Sequence, residues 1–79
     1  MQEQLLQFIV EELGVDQSVI TYDTSLFKDK LLDSMNLTFI IAYIEDAFGI
    51  TVSALDVVFE NFDTIENIAT FIVRKKDEQ

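Results

Sequence analysis

Two glycines and no proline punctuate this 79-residue chain, and each glycine follows a run of apolar residues at helical spacing. Leu5, Leu6, Ile9, Val10 and Leu13 recur three and four residues apart, which puts them on one face of a helix. The spacing predicts a helix over 3–13, with Gly14 as its C-terminal cap, where a left-handed residue costs glycine little. The second run is Leu37, Ile40, Ile41, Ile44 and Phe48, closed by Gly49. Asp33 fits the N-cap of this helix, its carboxylate accepting from the first free backbone N–H groups.

The remaining segments are read against those two helices. Residues 15–32 have no sustained period and carry turn and cap types, with Val19, Ile20, Leu26 and Phe27 as apolar anchors. A loop of that length in a small domain either has a function or is pinned by its apolar residues, and both are expected here. Ile50 to Val52 reads as an apolar connector, since a lone strand would lack a partner. A short third helix is expected over 53–60, with Leu55, Val58 and Phe59 inward. Asp63 and Glu66 have capping-box spacing for the last helix, and Thr64 competes as its cap. Ile65, Ile68, Ala69 and Ile72 form that helix's apolar face, joined by Phe71 or Val73. Arg74, Lys75 and Lys76 end it, where cations complement the helix dipole. The expected fold is all-α: a small four-helix bundle of three longer helices and one short one, with a long first loop, in a single domain over 1–79.

Composition removes several classes of function. Fifteen acidic residues against five basic ones give a net charge of −10. Nucleic acid needs clustered Lys and Arg, so it is not an expected partner, and anionic membrane is disfavoured for the same reason. Partners with basic patches suit such a surface. No apolar stretch reaches the roughly 20 residues of a membrane span, and the N-terminus does not read as a secretory signal. With no cysteine for disulfides, a cytoplasmic setting is expected, with a monomer as the default state.

Catalysis by the chain itself is also not expected. It has neither histidine nor cysteine, so Ser34 has no partner for a nucleophilic triad, and imidazole or thiolate metal ligation is excluded. Asp29 and Asp33 lack the alternating ligands and central glycine of a calcium loop. No glycine-rich phosphate loop is present. What remains is Asp33-Ser34-Met35, which presents a serine hydroxyl at a helix N-terminus. Unpaired N–H groups and the positive end of the dipole suit a phosphodiester there. The same two residues also read as an ordinary helix cap.

Beyond this tripeptide, Leu26-Phe27, Leu31-Leu32-Asp33-Ser34-Met35, Phe48-Gly49-Ile50 and Glu60-Asn61-Phe62-Asp63-Thr64-Ile65 fall in one register along nearly the whole chain. In size, acidity, helix order and these segments the sequence resembles the acyl carrier and peptidyl carrier proteins. The resemblance implies that Ser34 carries 4′-phosphopantetheine, transferred from coenzyme A by a separate phosphopantetheinyl transferase. It implies a free-standing carrier that holds an acyl or aminoacyl group as a thioester. A loading enzyme and a downstream synthase or transferase are its implied partners. Leu32 stands where many fatty-acid carriers have glycine, and Met35 where they have leucine. The Leu-Leu-Asp-Ser-Met form is more similar to D-alanyl carriers and free-standing peptidyl carriers.

On the second helix Met35, Phe39, Ala42 and Tyr43 point away from the apolar face. An outward stripe of Met, Phe and Tyr beside the attachment serine suggests a docking surface of Met35, Phe39 and Tyr43, rimmed by Glu45 and Asp46. Cover by the first helix or the long loop is the competing reading. Leu37, Ile41, Ile44, Phe59, Phe62 and Ile68 are candidates both for the walls of a sheltered cargo and for plain core. The alternative function is a helical interaction adaptor with no prosthetic group. A carrier fold that is never loaded is a third reading.

Overall fold

A computed structural model describes residues 1–28 and 30–78. Four α-helices follow in the order α1 (Gln2–Leu13), α2 (Ser34–Phe48), α3 (Phe59–Phe62) and α4 (Ile65–Glu78). Single 3-10 turns at Gln17–Val19 and Ala54–Asp56 lie in the two longer connections. Among the described residues there is no strand, and Ile50–Val52 is a connector. Its Val52 N–H donates to the Glu45 carboxylate at 2.9 Å, so its donor is satisfied without a ladder.

Both glycines do what the sequence requires of them. Gly14 has φ 68° and donates to Val10 and Glu11; Gly49 has φ 68° and donates to Glu45. Each stops its helix in a left-handed cap. α1, α2 and α4 then bury one face each: Leu5, Leu6, Ile9 and Val10 from α1, Ile40 and Ile44 from α2, and Ile65, Ile68, Phe71 and Ile72 from α4. Leu37, Ile41 and Phe48 pack on the edge of this core, half-buried. Phe71, not Val73, is the inward residue of its turn.

The long loop is pinned rather than loose. Ile20, Leu26 and Leu32 are buried in the same core. Val19, an expected anchor, is instead exposed, because the 3-10 turn capped by Asp16 directs it outward and hands the inward position to Ile20. Asp29, weighed above as a calcium ligand, lies outside the described residues.

The third helix departs from expectation. It does not run over 53–60, and Leu55, Val58 and Phe59 do not point inward; Leu55 is 90 % exposed and Phe59 59 %. The cause is local. Ser53 and Asp56 form a capping box around the 3-10 turn. The Asp56 carbonyl is then taken by the Val58 N–H at 2.9 Å and by the Asn61 side-chain amide at 2.8 Å. Helical continuation needs that carbonyl, so the chain breaks at Val57-Val58 and restarts as the four-residue α3. Phe62 is the residue that turns inward, fully buried with its ring 5.3 Å from that of Phe71.

The last helix resolves its two competing caps. Thr64 Oγ1 accepts from the Asn67 N–H at 2.9 Å. Asp63 faces back toward the long loop, where its carboxylate accepts from the Ser25 hydroxyl at 2.7 Å.

Candidate functional site

Ser34 is the first residue of α2, and it is exposed. Asp33 holds the N-cap in an extended conformation, and its Oδ1 accepts from the Asn36 N–H at 2.7 Å. One turn further on, the Thr38 hydroxyl donates to the Ser34 carbonyl at 2.9 Å. The serine alcohol therefore stands on a rigid helix end, with the positive pole of the peptide dipoles beneath it. An anionic ester formed on that oxygen meets favourable charge.

One turn along α2 from Ser34, Leu37 borders a cavity of about 260 Å³. Phe27, Val57, Val58, Phe59 and Phe62 complete its lining, and it opens to solvent. The Phe27 and Phe59 rings meet at its edge, with centroids 5.7 Å apart. The cavity is assembled by the break before α3, which turns Val57, Val58 and Phe59 out of the core. Of the residues considered as cargo walls, Leu37, Phe59 and Phe62 line it. Ile44 and Ile68 lie fully buried in the bundle core, and Ile41 packs on that core. Val57 is not singled out in the sequence and Val58 reads there as an inward core residue; the Ser53–Asp56 capping-box spacing is the signal that could have placed both at the cavity.

The expected docking stripe divides. Met35 and Phe39 are exposed, at 66 % and 49 %. Tyr43 is half-buried, because its ring stacks on Phe8 of α1 at 4.0 Å. Glu45 is held by the Val52 N–H, while Asp46 is exposed. The exposed pair Met35 and Phe39 is thus separate from the α1–α2 contact made by Tyr43.

Comparison with known proteins agrees with this arrangement. Residues 3–72 match the family model described as "Phosphopantetheine attachment site". The chain is 33% identical over 78 residues, 99% of it and 99% of the relative, to the D-alanyl carrier protein of Lactococcus lactis subsp. lactis (strain IL1403). It is 32% identical over 76 residues to the acyl carrier protein of Solidesulfovibrio magneticus, covering 96% of this chain and 95% of that one. It is likewise 32% identical over 72 residues to the acyl carrier protein of Chlamydia caviae, with 91% of each covered. The residues at the start of α2 fit a covalently attached group: one exposed alcohol, a helix pole that favours an anion, and apolar space a turn away. Such a group supplies the thiol that a cysteine-free chain lacks. Because the family match runs from α1 into α4 and the relatives align over nearly the full length, the chain belongs to the phosphopantetheine-binding carrier proteins, a family that holds cargo for modifying and biosynthetic enzymes and is not itself catalytic.

Proposed function

We propose that Ser34 is the attachment point of 4′-phosphopantetheine and that the protein presents an acyl or aminoacyl thioester to partner enzymes. The observation that carries this reading is the exposed Ser34 alcohol at the start of α2, beside the cavity bordered by Leu37 and Phe59. In the modification, the Ser34 oxygen bonds to the phosphorus that bears pantetheine in coenzyme A. The pyrophosphate bond breaks, the nucleotide bisphosphate leaves, and the serine proton passes to the transferase. The chain's own residues orient this oxygen: Asp33 caps the helix behind it and Leu32 anchors the loop before it.

The cavity is smaller than the range of about 300–1,000 Å³ usual for drug-sized ligands. Its size and apolar lining favour a short acyl or aminoacyl group lying against Leu37, Phe59 and Phe62. Met35 and Phe39 form the surface that partners touch, with Asp46 at its rim, while Tyr43 packs on Phe8 and Glu45 holds the Val52 N–H. The partners are a phosphopantetheinyl transferase, a loading enzyme and a downstream synthase or transferase, met by a monomer in the cytoplasm. No helix among the described residues is long and apolar enough to cross a membrane.

Incubation with coenzyme A, magnesium and a broad-specificity phosphopantetheinyl transferase tests this. Intact mass rises by one phosphopantetheine, and Ser34→Ala removes the gain. A wild-type chain that gains nothing overturns the reading and leaves a helical adaptor with a carrier fold.

A further inference from the structure

Asp63 is a buried carboxylate that neither the attachment chemistry nor the capping of α4 uses. Its Oδ1 accepts from the Ser25 hydroxyl at 2.7 Å and from the Phe27 N–H at 3.4 Å. Its carbonyl accepts from the Leu26 N–H at 2.7 Å. Three successive residues of the long loop are thereby bonded to one residue ahead of α4. A second tie lies beside them, where the Glu66 N–H donates to the Tyr22 carbonyl at 2.9 Å.

The loop is closed again just beyond this clasp. The Leu26 carbonyl accepts from both the Leu31 N–H at 2.9 Å and the Leu32 N–H at 3.2 Å. Lys30 takes a left-handed conformation, φ 58°, to bring the chain back. Leu32 is buried, Asp33 caps α2, and Ser34 follows. The root of α2 therefore hangs from Leu26, and Leu26 hangs from Asp63. The same clasp fixes Phe27, whose ring faces Phe59 at the edge of the cavity.

We propose that Asp63 is the positioning residue of the carrier site: through Ser25, Leu26 and Phe27 it sets both the Ser34 oxygen and the cavity edge relative to each other. Asp63 touches no reacting atom. It acts by making the loop a fixed bracket between α4 and α2, so that a docked enzyme finds the serine in one place. Reacting atoms held about 1 Å out of place lose on the order of a hundredfold in rate, so a partly loosened bracket costs about tenfold. This inference rests on Ser34 being the attachment point.

The test measures kcat and KM for transfer of phosphopantetheine from coenzyme A onto the full chain by a broad-specificity transferase. Asp63→Ala is compared with Asp63→Asn, with Ser25→Ala, and with Ile68→Val as a core variant for matched loss of melting temperature. Asp63→Ala lowers kcat about tenfold, with KM for coenzyme A unchanged because the transferase binds that substrate. Asp63→Asn recovers most of the rate, since its amide oxygen still accepts from Ser25 and Phe27. Ile68→Val loads at the wild-type rate. Should Asp63→Ala fail to fold, Ser25→Ala, which removes a single hydroxyl, carries the same expectation in weaker form. Wild-type rates in Asp63→Ala and Ser25→Ala, or an equal loss in Ile68→Val, overturn the proposal while leaving Ser34 as the attachment point. A wild-type chain that never loads overturns both.

Discussion

The ring of Tyr43 lies flat on the ring of Phe8, with centroids 4.0 Å apart and planes 7° from parallel. This stack joins α2 to α1, and Phe48 meets Tyr43 edge-on at 6.3 Å. Tyr43 is thus a packing residue, whereas Phe39, one turn earlier, is half in water. Tyr43→Ala is expected to cost about 2 kcal/mol, since a half-buried ring loses part of the value of a full aromatic deletion. Phe39→Ala is expected to stay within about 0.5 kcal/mol of wild type while reducing turnover by a partner enzyme. Thermal melts of both variants, with a loading assay on Phe39→Ala, check the pair. A large stability loss in Phe39→Ala would place that ring in the core instead.

Asp33 and Ser34 adjoin in sequence and differ in role. The Asp33 carboxylate satisfies the Asn36 N–H, so Asp33→Ala is expected to cost about 1 kcal/mol through the lost cap. The exposed Ser34 is expected to tolerate alanine within about 0.5 kcal/mol, and, as the proposed attachment point, to lose the mass gain from coenzyme A in Ser34→Ala. Melting curves and intact mass on the two variants separate the cap from the proposed attachment point. Loss of the mass gain in Asp33→Ala at unchanged stability would assign Asp33 a direct part in recognition.

The parts of the fold legible in the sequence are those set by local rules. α1 and α2 declare themselves through apolar period and a terminal glycine, and Asp33 through the first turn that follows it. The motif placed Ser34 at a helix start for the same reason. What escaped the sequence depends on side chains that meet from a distance. α3 is short because Asn61 reaches back to the Asp56 carbonyl and Lys75 of α4 holds the Asp56 carboxylate. Helical spacing turns Tyr43 away from the core of α2, and cover by the first helix, the competing reading, holds for this one residue of the stripe; that Phe8 is the covering ring is what spacing alone does not tell. Asp63 has the spacing of a helix cap, and its true partners are Ser25 and Phe27, more than thirty residues earlier.

The Asp56 carboxylate gives the α3 segment a pH dependence. Its pKa is lowered, first by the Ser53 backbone N–H and then by Lys75, whose Nζ lies 3.0 Å away. A depressed carboxylate stabilises the fold above its ordinary value, and that stabilisation is lost as pH falls through the lower folded value. Asp56→Asn is therefore expected to melt below wild type near neutral pH, and the gap is expected to close as pH is lowered below about 4. Melting temperatures of both proteins across that range check the sign. Amide exchange over 54–62 should rise in the variant ahead of exchange in α1. A gap that stays constant with pH would mean that Asp56 acts through shape and not through charge.

Salt acts on the whole chain in the opposite sense to its action on that one pair. The protein carries a net charge of −10, and folding draws these charges together. The cations at the end of α4 are already engaged: Arg74 with the Asn61 amide oxygen, Lys75 with Asp56, and Lys76 with the Phe48 carbonyl at the end of α2. Among the described residues the ion pairs are Lys75 with Asp56 and Lys75 with Glu78, so one lysine accounts for both. The Lys75–Asp56 pair is largely covered and is little screened by salt, while a pair to an exposed carboxylate such as Glu78 contributes about 0–1 kcal/mol, and screening it costs no more than that. Repulsion among the remaining carboxylates is spread over the surface and is largely screened once the Debye length falls to about 10 Å, near 0.1 M salt. Screening of repulsion therefore outweighs screening of attraction, and the melting temperature is expected to rise with sodium chloride between about 0.01 and 0.1 M. Chloride is the right anion for the measurement, because sulfate would also strengthen apolar burial and confound the result. A melting temperature that holds level or falls over that range would mean that the α4 cations contribute more to the fold than the net charge takes away.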